Sequence, residues 1–290
     1  MPILKLQWWL GNQMFGYALA YALSKEKGEP ILLDPFVLEN RFIWANWTFR
    51  NFELEVFWIK KEYQSPPAFI SRYIHPELIA FWNRIRYGKR YIKEKWGKVI
   101  LQFPKHTYLD GWFQSYQYFE KYTKDIQEIF TVRTPFTKPN QGFINLIEEA
   151  GNRAVSLHVR RGDYVTLEWA RRWHGVCSLE YYEWAIASMK DKLENPVFFI
   201  FSDDIAWCRE YLEFPEGIQV YFIDHNESAG HEDLRLMYTC SHHIIANSTF
   251  SWWGAYLGRN PDKTIIAPKK WLQTDRFTTQ YIIPPSWVLL

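Results

Sequence analysis

Three short polar clusters in this sequence have the residue types needed to handle an anionic ligand. The first is His158-Val159-Arg160-Arg161-Gly162-Asp163-Tyr164, where an apolar run passes directly into two guanidinium groups. A guanidinium stays charged at any working pH and grips phosphate oxygens in a two-pronged fork, so the pair suits a phosphate or pyrophosphate. Gly162 permits a tight exit, and Asp163 is spaced to hold one arginine in position. The plainer alternative is a surface salt bridge at a strand end. The second cluster, Ser202-Asp203-Asp204, reads either as helix-capping chemistry or as a carboxylate accepting hydrogen bonds from a nucleobase edge, as N1 and N2 of guanine would require. The third, Asn247-Ser248-Thr249-Phe250-Ser251, opens a helix. Its hydroxyls and unpaired N–H groups form a phosphate site or simply a cap.

Absent patterns narrow the chemistry. No G-x-x-x-x-G-K-[ST], G-x-G-x-x-G or H-E-x-x-H occurs, and no two aspartates are separated by a single intervening residue, so D-x-D is missing. The His242-His243 pair reads as strand-edge packing. No metal and no cofactor is expected, so the charge of a departing diphosphate falls to protein cations, Arg160 and Arg161 first among them.

The elements that must carry these clusters alternate strand and helix. Ile3 to Gln7 reads as a strand, Gly11-Asn12-Gln13 as a turn, Met14 to Lys27 as a helix stopped by Gly28, and Ile31 to Leu33 as a second strand. Tyr108 to Phe113 is another strand with its exit. Residues 40 to 100 are basic, aromatic and irregular. The stretch 134 to 142, with two prolines and a glycine, is the expected interdomain linker. Strands follow at Ala154–Val159, Val197–Phe201, Gln219–Ile223, His243–Ala246 and Thr264–Ala267, with helices around Leu234 to Tyr238 and Trp252 to Leu257. Trp252 and Trp253 are assigned to packing. This is the pattern of a Rossmann-like parallel sheet, whose ligands bind beyond the carboxyl ends of the strands. All three polar clusters fall at such ends.

Bulk properties agree. The chain has 290 residues, room for two medium domains, and a formal charge of +2 that gives no reason to expect nucleic acid. Aromatic residues reach 19%, which serves core packing and also the stacking faces that carbohydrate sites use. Cys177, Cys208 and Cys240 are too few and too spread for a zinc site and read as reduced thiols. With no leader pattern and no long apolar run, a cytoplasmic location is expected.

The stretches LGNQMF at 10–15, HVRRGDYV at 158–165, HGVCSLEYY at 174–182, FSDDIAWC at 201–208, HHIIANSTFSWWGAYLG at 242–258 and APKKW at 267–271 resemble those of the bacterial α-1,2-fucosyltransferases, relatives of the vertebrate blood-group H enzymes. The resemblance implies an α/β, GT-B-type fold of two Rossmann-like domains facing a cleft: residues 1–140 on the acceptor side and 141–290 binding GDP-fucose. It implies an inverting, metal-independent α-1,2-fucosyltransferase that moves L-fucose from GDP-β-L-fucose to the 2-hydroxyl of a terminal β-galactoside. The acceptor would be a lipopolysaccharide or oligosaccharide precursor, with peripheral membrane association through a lipid-linked acceptor. By similarity, Arg160 meets the β-phosphate, Arg161 and His158 support the donor, Asp203 or Asp204 lies near guanine, and Asn247, Ser248, Thr249 and Ser251 lie near the phosphates. Asn12, Gln13 and Trp112 fall on the acceptor side. Glu168, Asp163 and His174 are the candidates for the base. The family usually carries Gly-Gly where this chain has Trp8-Trp9, a departure that implies a changed acceptor side or an indole wall for sugar stacking. The alternatives are a fucosyltransferase of another linkage or acceptor, and a non-catalytic GDP-fucose or sugar-binding relative.

Overall fold

A computed structural model describes residues 1–40, 51–60, 74–94, 102–226, 229–273 and 279–290. The chain divides into two compact α/β units, Met1–Phe130 and Thr131–Leu290. The division falls ten residues before the expected boundary at 140. The expected linker is mostly helix: Lys138–Ala150 starts with Pro139 in its first turn, where a proline costs no hydrogen bond. Its Ile144, Ile147 and Ala150 then pack into the second unit's core.

The first unit is built on four parallel strands, β1 (Ile3–Lys5), β2 (Leu32–Asp34), β3 (Tyr91–Lys93) and β4 (Tyr108–Asp110), in the order β2-β1-β4-β3. β3 lies in the stretch that sequence patterning left irregular, as does the helix Pro76–Tyr87, which His75 caps by accepting from the Glu77 N–H. The helix after β1 spans Leu10–Lys27 and ends on Gly28 at φ 66°, whose N–H returns to Ser24 O. It begins four residues earlier than expected. Gly11-Asn12-Gln13 is its first turn rather than a loop, because the Asn12 and Gln13 N–H groups both bond to Trp9 O.

Trp8 precedes that helix at φ 69°, in the left-handed region where a glycine pays no steric cost. Its indole stacks on Trp112 with centroids 5.2 Å apart and planes 13° apart. The geometry accounts for a glycine being at home here, and it sets up an inverted propensity test. Trp8→Gly and Trp8→Ala both lose the stack, but only glycine relieves the backbone. The glycine variant is expected to be more stable than the alanine variant by about 1 kcal/mol, read as a higher urea midpoint.

The second unit holds a six-stranded parallel sheet: β5 (Ala154–Val159), β6 (Val197–Ser202), β7 (Gln219–Ile223), β8 (His242–Ile244), β9 (Ile265–Ala267) and β10 (Val288–Leu289). Its order is β10-β9-β8-β5-β6-β7. Counted from β5, that is the 3-2-1-4-5-6 arrangement of dinucleotide-binding sheets. All six residues of β5 are buried, as a strand covered on both faces requires. On one face, Phe198 and Ile200 pack with Tyr181, Tyr182, Ala185, Ile186 and Met189 of the helix Leu179–Lys192. On the other, Val197, Phe199 and Phe201 meet Leu236 and Met237 of the helix Gly230–Thr239. His242 and His243 are strand packing, as expected. His243 Nδ1 lies 2.8 Å from Ser156 Oγ, and His242 bridges Asn152 O and the Thr264 N–H. Among the described residues, no cluster of three or more His, Cys, Asp or Glu is placed to hold a metal, and no helix is long and apolar enough to cross a membrane.

Candidate functional site

The polar clusters meet because of sheet order and register. β5 lies between β8 and β6, and the β5–β6 ladder pairs Val159 with Ser202. The next residues along the two strands, Arg160 and Asp203, then leave the sheet side by side, as do Arg161 and Asp204. Strand order reverses between β5 and β8, so the crevice beyond these two strands is the switch point at which such sheets bind ligands.

Arg160 Nη1 pairs with Asp203 Oδ2 at 2.9 Å and Nη2 with Asp163 Oδ1 at 2.6 Å. Arg161 Nε pairs with Asp204 Oδ2 at 3.0 Å. Asp163 therefore holds an arginine as its spacing suggested. Asp203 does the same, and its other oxygen accepts the Arg161 N–H at 2.8 Å. Asp204 caps the helix Ile205–Tyr211 through the Trp207 N–H. All four carboxylate oxygens of Asp203 and Asp204 thus accept bonds from the protein. Capping and arginine anchoring are the contacts this pair makes within the chain, and each oxygen keeps a second lone pair that can accept from a nucleobase edge. The two arginine side chains keep 22% and 21% of their surface exposed, so the corner is ion-paired yet open. Burial alone would lower the Arg160 pKa, but Asp203 and Asp163 more than offset it and raise it.

Three residues shape this corner in ways the sequence reading missed. A Cβ on Gly162 would come 2.3 Å from Asp203 Oδ2, so its hydrogen is what lets that carboxylate reach the arginines. The aromatic rings of Tyr164 and Trp207 lie under Arg160 and Arg161, at 5.3 and 4.3 Å from the guanidinium carbons, which suits a flat delocalised cation. An aromatic four residues after an arginine at a strand exit was a readable signal for Tyr164. For Trp207 none existed before β6 was known to neighbour β5.

The helix Thr249–Leu257 begins beside β5. Its N-cap Ser248 makes no side-chain cap bond, and the first N–H groups of a helix favour an anion. Thr249 is half-buried there. Ser251 departs from expectation: it is fully buried and its hydroxyl turns back to Ala246 O and Ser248 O. Asn247 is likewise a clamp. Its buried amide donates to His174 O, Gly175 O and Trp271 O. His174 stacks on Tyr164 at 4.5 Å and 5°, and Glu168 is exposed and paired with Arg172 at 2.8 Å. In the first unit, Gln13 is fully buried and spends its amide on Trp8 O, Asn51 O and the Glu53 N–H, a structural staple rather than a ligand contact. Asn12 accepts from Gln114 at 2.6 Å, and Trp112 stacks under Trp8.

Burial holds His158 neutral, with its pKa lowered to about 3 and the Arg160 charge adding to the effect. His174 is lowered to about 4, also by burial first. His242 and His243 are lowered for the same reason. Unfolding lets these rings take up protons near their ordinary value of 6.5. Between there and about 4 the unfolded chain therefore binds more protons, and acid favours unfolding. Asp233 and Glu94 oppose this in part, since burial raises the first carboxyl to about 6 and raises the second as well, but four imidazoles outweigh two carboxyls. The urea midpoint is expected to fall steadily as pH drops from about 7 to about 4.5.

Comparison with known proteins gives the following. The sequence profile of glycosyl transferase family 11 matches residues 3–290. An alpha-1,2-colitosyltransferase of Escherichia coli is 35% identical over 291 residues, covering 96% of this chain and 95% of that protein. The O-antigen biosynthesis glycosyltransferase WbnK of Escherichia coli is 32% identical over 289 residues, with 90% and 92% covered. Galactoside alpha-(1,2)-fucosyltransferase 2 of Hylobates lar is 28% identical over 254 residues, with 86% of this chain and 66% of that protein covered.

Proposed function

The chain belongs to glycosyl transferase family 11, and we propose that it transfers L-fucose from GDP-β-L-fucose to the 2-hydroxyl of a terminal β-galactoside, inverting the anomeric centre. The observation that carries this reading is Arg160, fixed by two carboxylates at the switch point of the sheet. Donor pyrophosphate binds against Arg160, Arg161 and the first N–H groups of Thr249–Leu257. As the bond from fucose C1 to the β-phosphate oxygen breaks, the electron pair leaves with GDP. Preorganised cations stabilise that charge without reorganising, which is the usual large electrostatic contribution. The acceptor 2-hydroxyl attacks C1 and gives its proton to a base.

Of the three candidate bases, Asp163 is engaged with Arg160, and the His174 ring is stacked on Tyr164. Glu168 is also paired, with Arg172 at 2.8 Å, but that pair is exposed and screened by solvent whereas the Asp163 pair is largely buried, and on this ground the role is assigned to Glu168. Glu168→Gln is expected to lower kcat by about a hundredfold and to leave GDP affinity in calorimetry unchanged. Normal turnover would return the role to another group.

A second donor has specific support in the 35% identity to a colitosyltransferase. Colitose is L-fucose without its 3-hydroxyl. A site that hydrogen-bonds that hydroxyl discriminates strongly against the sugar lacking it, and one that does not discriminates weakly. The test is transfer to lactose and a panel of β-galactosides with EDTA present, using GDP-fucose and GDP-colitose side by side, with linkage read by NMR. Transfer of fucose in α-1,2 linkage supports the reading. A folded protein that moves only colitose, or forms another linkage, overturns it.

A further inference from the structure

The helix Pro76–Tyr87 in the first unit turns its apolar stripe outward. Leu78, Phe81, Trp82 and Ile85 stand at i, i+3, i+4 and i+7, the spacing of one helix face. A core-facing helix buries such a stripe, yet here these side chains are 54%, 58%, 66% and 58% exposed. The helix is seated instead by Ile79 and Asn83, its two buried residues. The stripe is therefore surplus to folding. At about 100° per residue, Arg84 and Arg86 project on either side of it, and both are exposed. The chain leaving the helix adds exposed Lys89, Arg90 and Lys93. Glu77, in the first turn, is the one acidic residue between 76 and 93.

From this we infer that the outer face of Pro76–Tyr87 docks on an anionic lipid bilayer. The stripe enters the boundary between headgroups and acyl chains, and the flanking cations meet lipid phosphates. Two features favour a bilayer over a second protein surface. Cations border the apolar strip on both sides, which matches a uniformly anionic plane. The large residues Phe81 and Trp82 project together from the middle of the helix, with the tryptophan indole suited to the headgroup level. Docking of this kind lies in the plane of the membrane and is separate from any spanning segment. It also differs from recruitment through a lipid-linked acceptor, because it needs no substrate.

Flotation of the full chain, without donor or acceptor, with vesicles of phosphatidylcholine alone or mixed with phosphatidylglycerol tests the inference. Binding is expected to the mixed vesicles, to fall severalfold at about 0.5 M salt as the headgroup charge is screened, and to drop at least about tenfold in Phe81→Glu/Trp82→Glu and in Arg84→Glu/Arg86→Glu. Because all four positions are exposed, thermal unfolding and transfer to a soluble galactoside serve as controls that should match the unmodified chain. Equal binding to both vesicle types, or unchanged binding by the folded Phe81→Glu/Trp82→Glu chain, overturns the inference. So does sedimentation showing a lipid-free dimer that this double substitution dissociates, since the stripe would then be a contact between copies.

Discussion

Arg160→Ala is expected to lower kcat by about a hundredfold to a thousandfold, equivalent to roughly 3–4 kcal/mol of lost transition-state stabilisation. The charge it removes sits where the leaving diphosphate develops its own. The loss should reach the upper end of that range because of what stays behind. Asp163 and Asp203 hold the two prongs of Arg160, and without it two carboxylates face the donor and repel it. Arg160→Lys tests the geometry separately from the charge. One ammonium cannot meet Asp163 from one prong and Asp203 from the other, so recovery should be partial. Steady-state kinetics with GDP-fucose, alongside thermal unfolding to establish that the variants are folded, reads both effects. Near-normal turnover by a folded Arg160→Ala protein would remove the basis of the proposed mechanism.

Trp252→Ala carries the largest expected effect on stability. The indole is fully buried. It stacks on Tyr256 at 4.6 Å, meets Trp253 edge-on at 4.9 Å, and donates from Nε1 to Ile282 O at 2.9 Å. Truncation leaves a large cavity and an unpaired carbonyl, a loss of about 3–5 kcal/mol, which lowers the melting temperature of a unit this size by on the order of 10 °C. Trp252→Phe keeps most of the volume and should lose less. The consequence reaches the donor site, since this ring anchors the helix whose N-terminus is proposed to meet the phosphates. A urea titration with unchanged m-value, and a higher KM for GDP-fucose measured well below the melting transition, are the expected signatures.

Much of the second unit was legible because its signals are local. β5 reads as an unbroken apolar run followed at once by two arginines, and Asp204 starts a helix by a capping rule that needs no partner. The first unit was harder. Its strands are three residues each, too short for a period to register. The helix Pro76–Tyr87 presents its clearest stripe to solvent, which sequence periodicity alone would assign to a core. The stretch 134–142 looked like a linker because proline marks loops, yet Pro139 lies in the first turn of the helix Lys138–Ala150.

The sequence by itself determined the chemistry on offer: guanidinium groups at a strand exit, carboxylates at another, a helix start rich in hydroxyls, and an indole pair just before the first helix. Only the tertiary structure decided which of these groups meet. Arg161 and Asp204 are 43 residues apart, and their contact depends on β6 lying beside β5 with Val159 opposite Ser202. Strand order and register are set by long-range packing, which no local pattern encodes. The same packing drew Gln13, Asn247 and Ser251 into the interior, where their polar atoms bond to backbone because a buried polar group must find a partner.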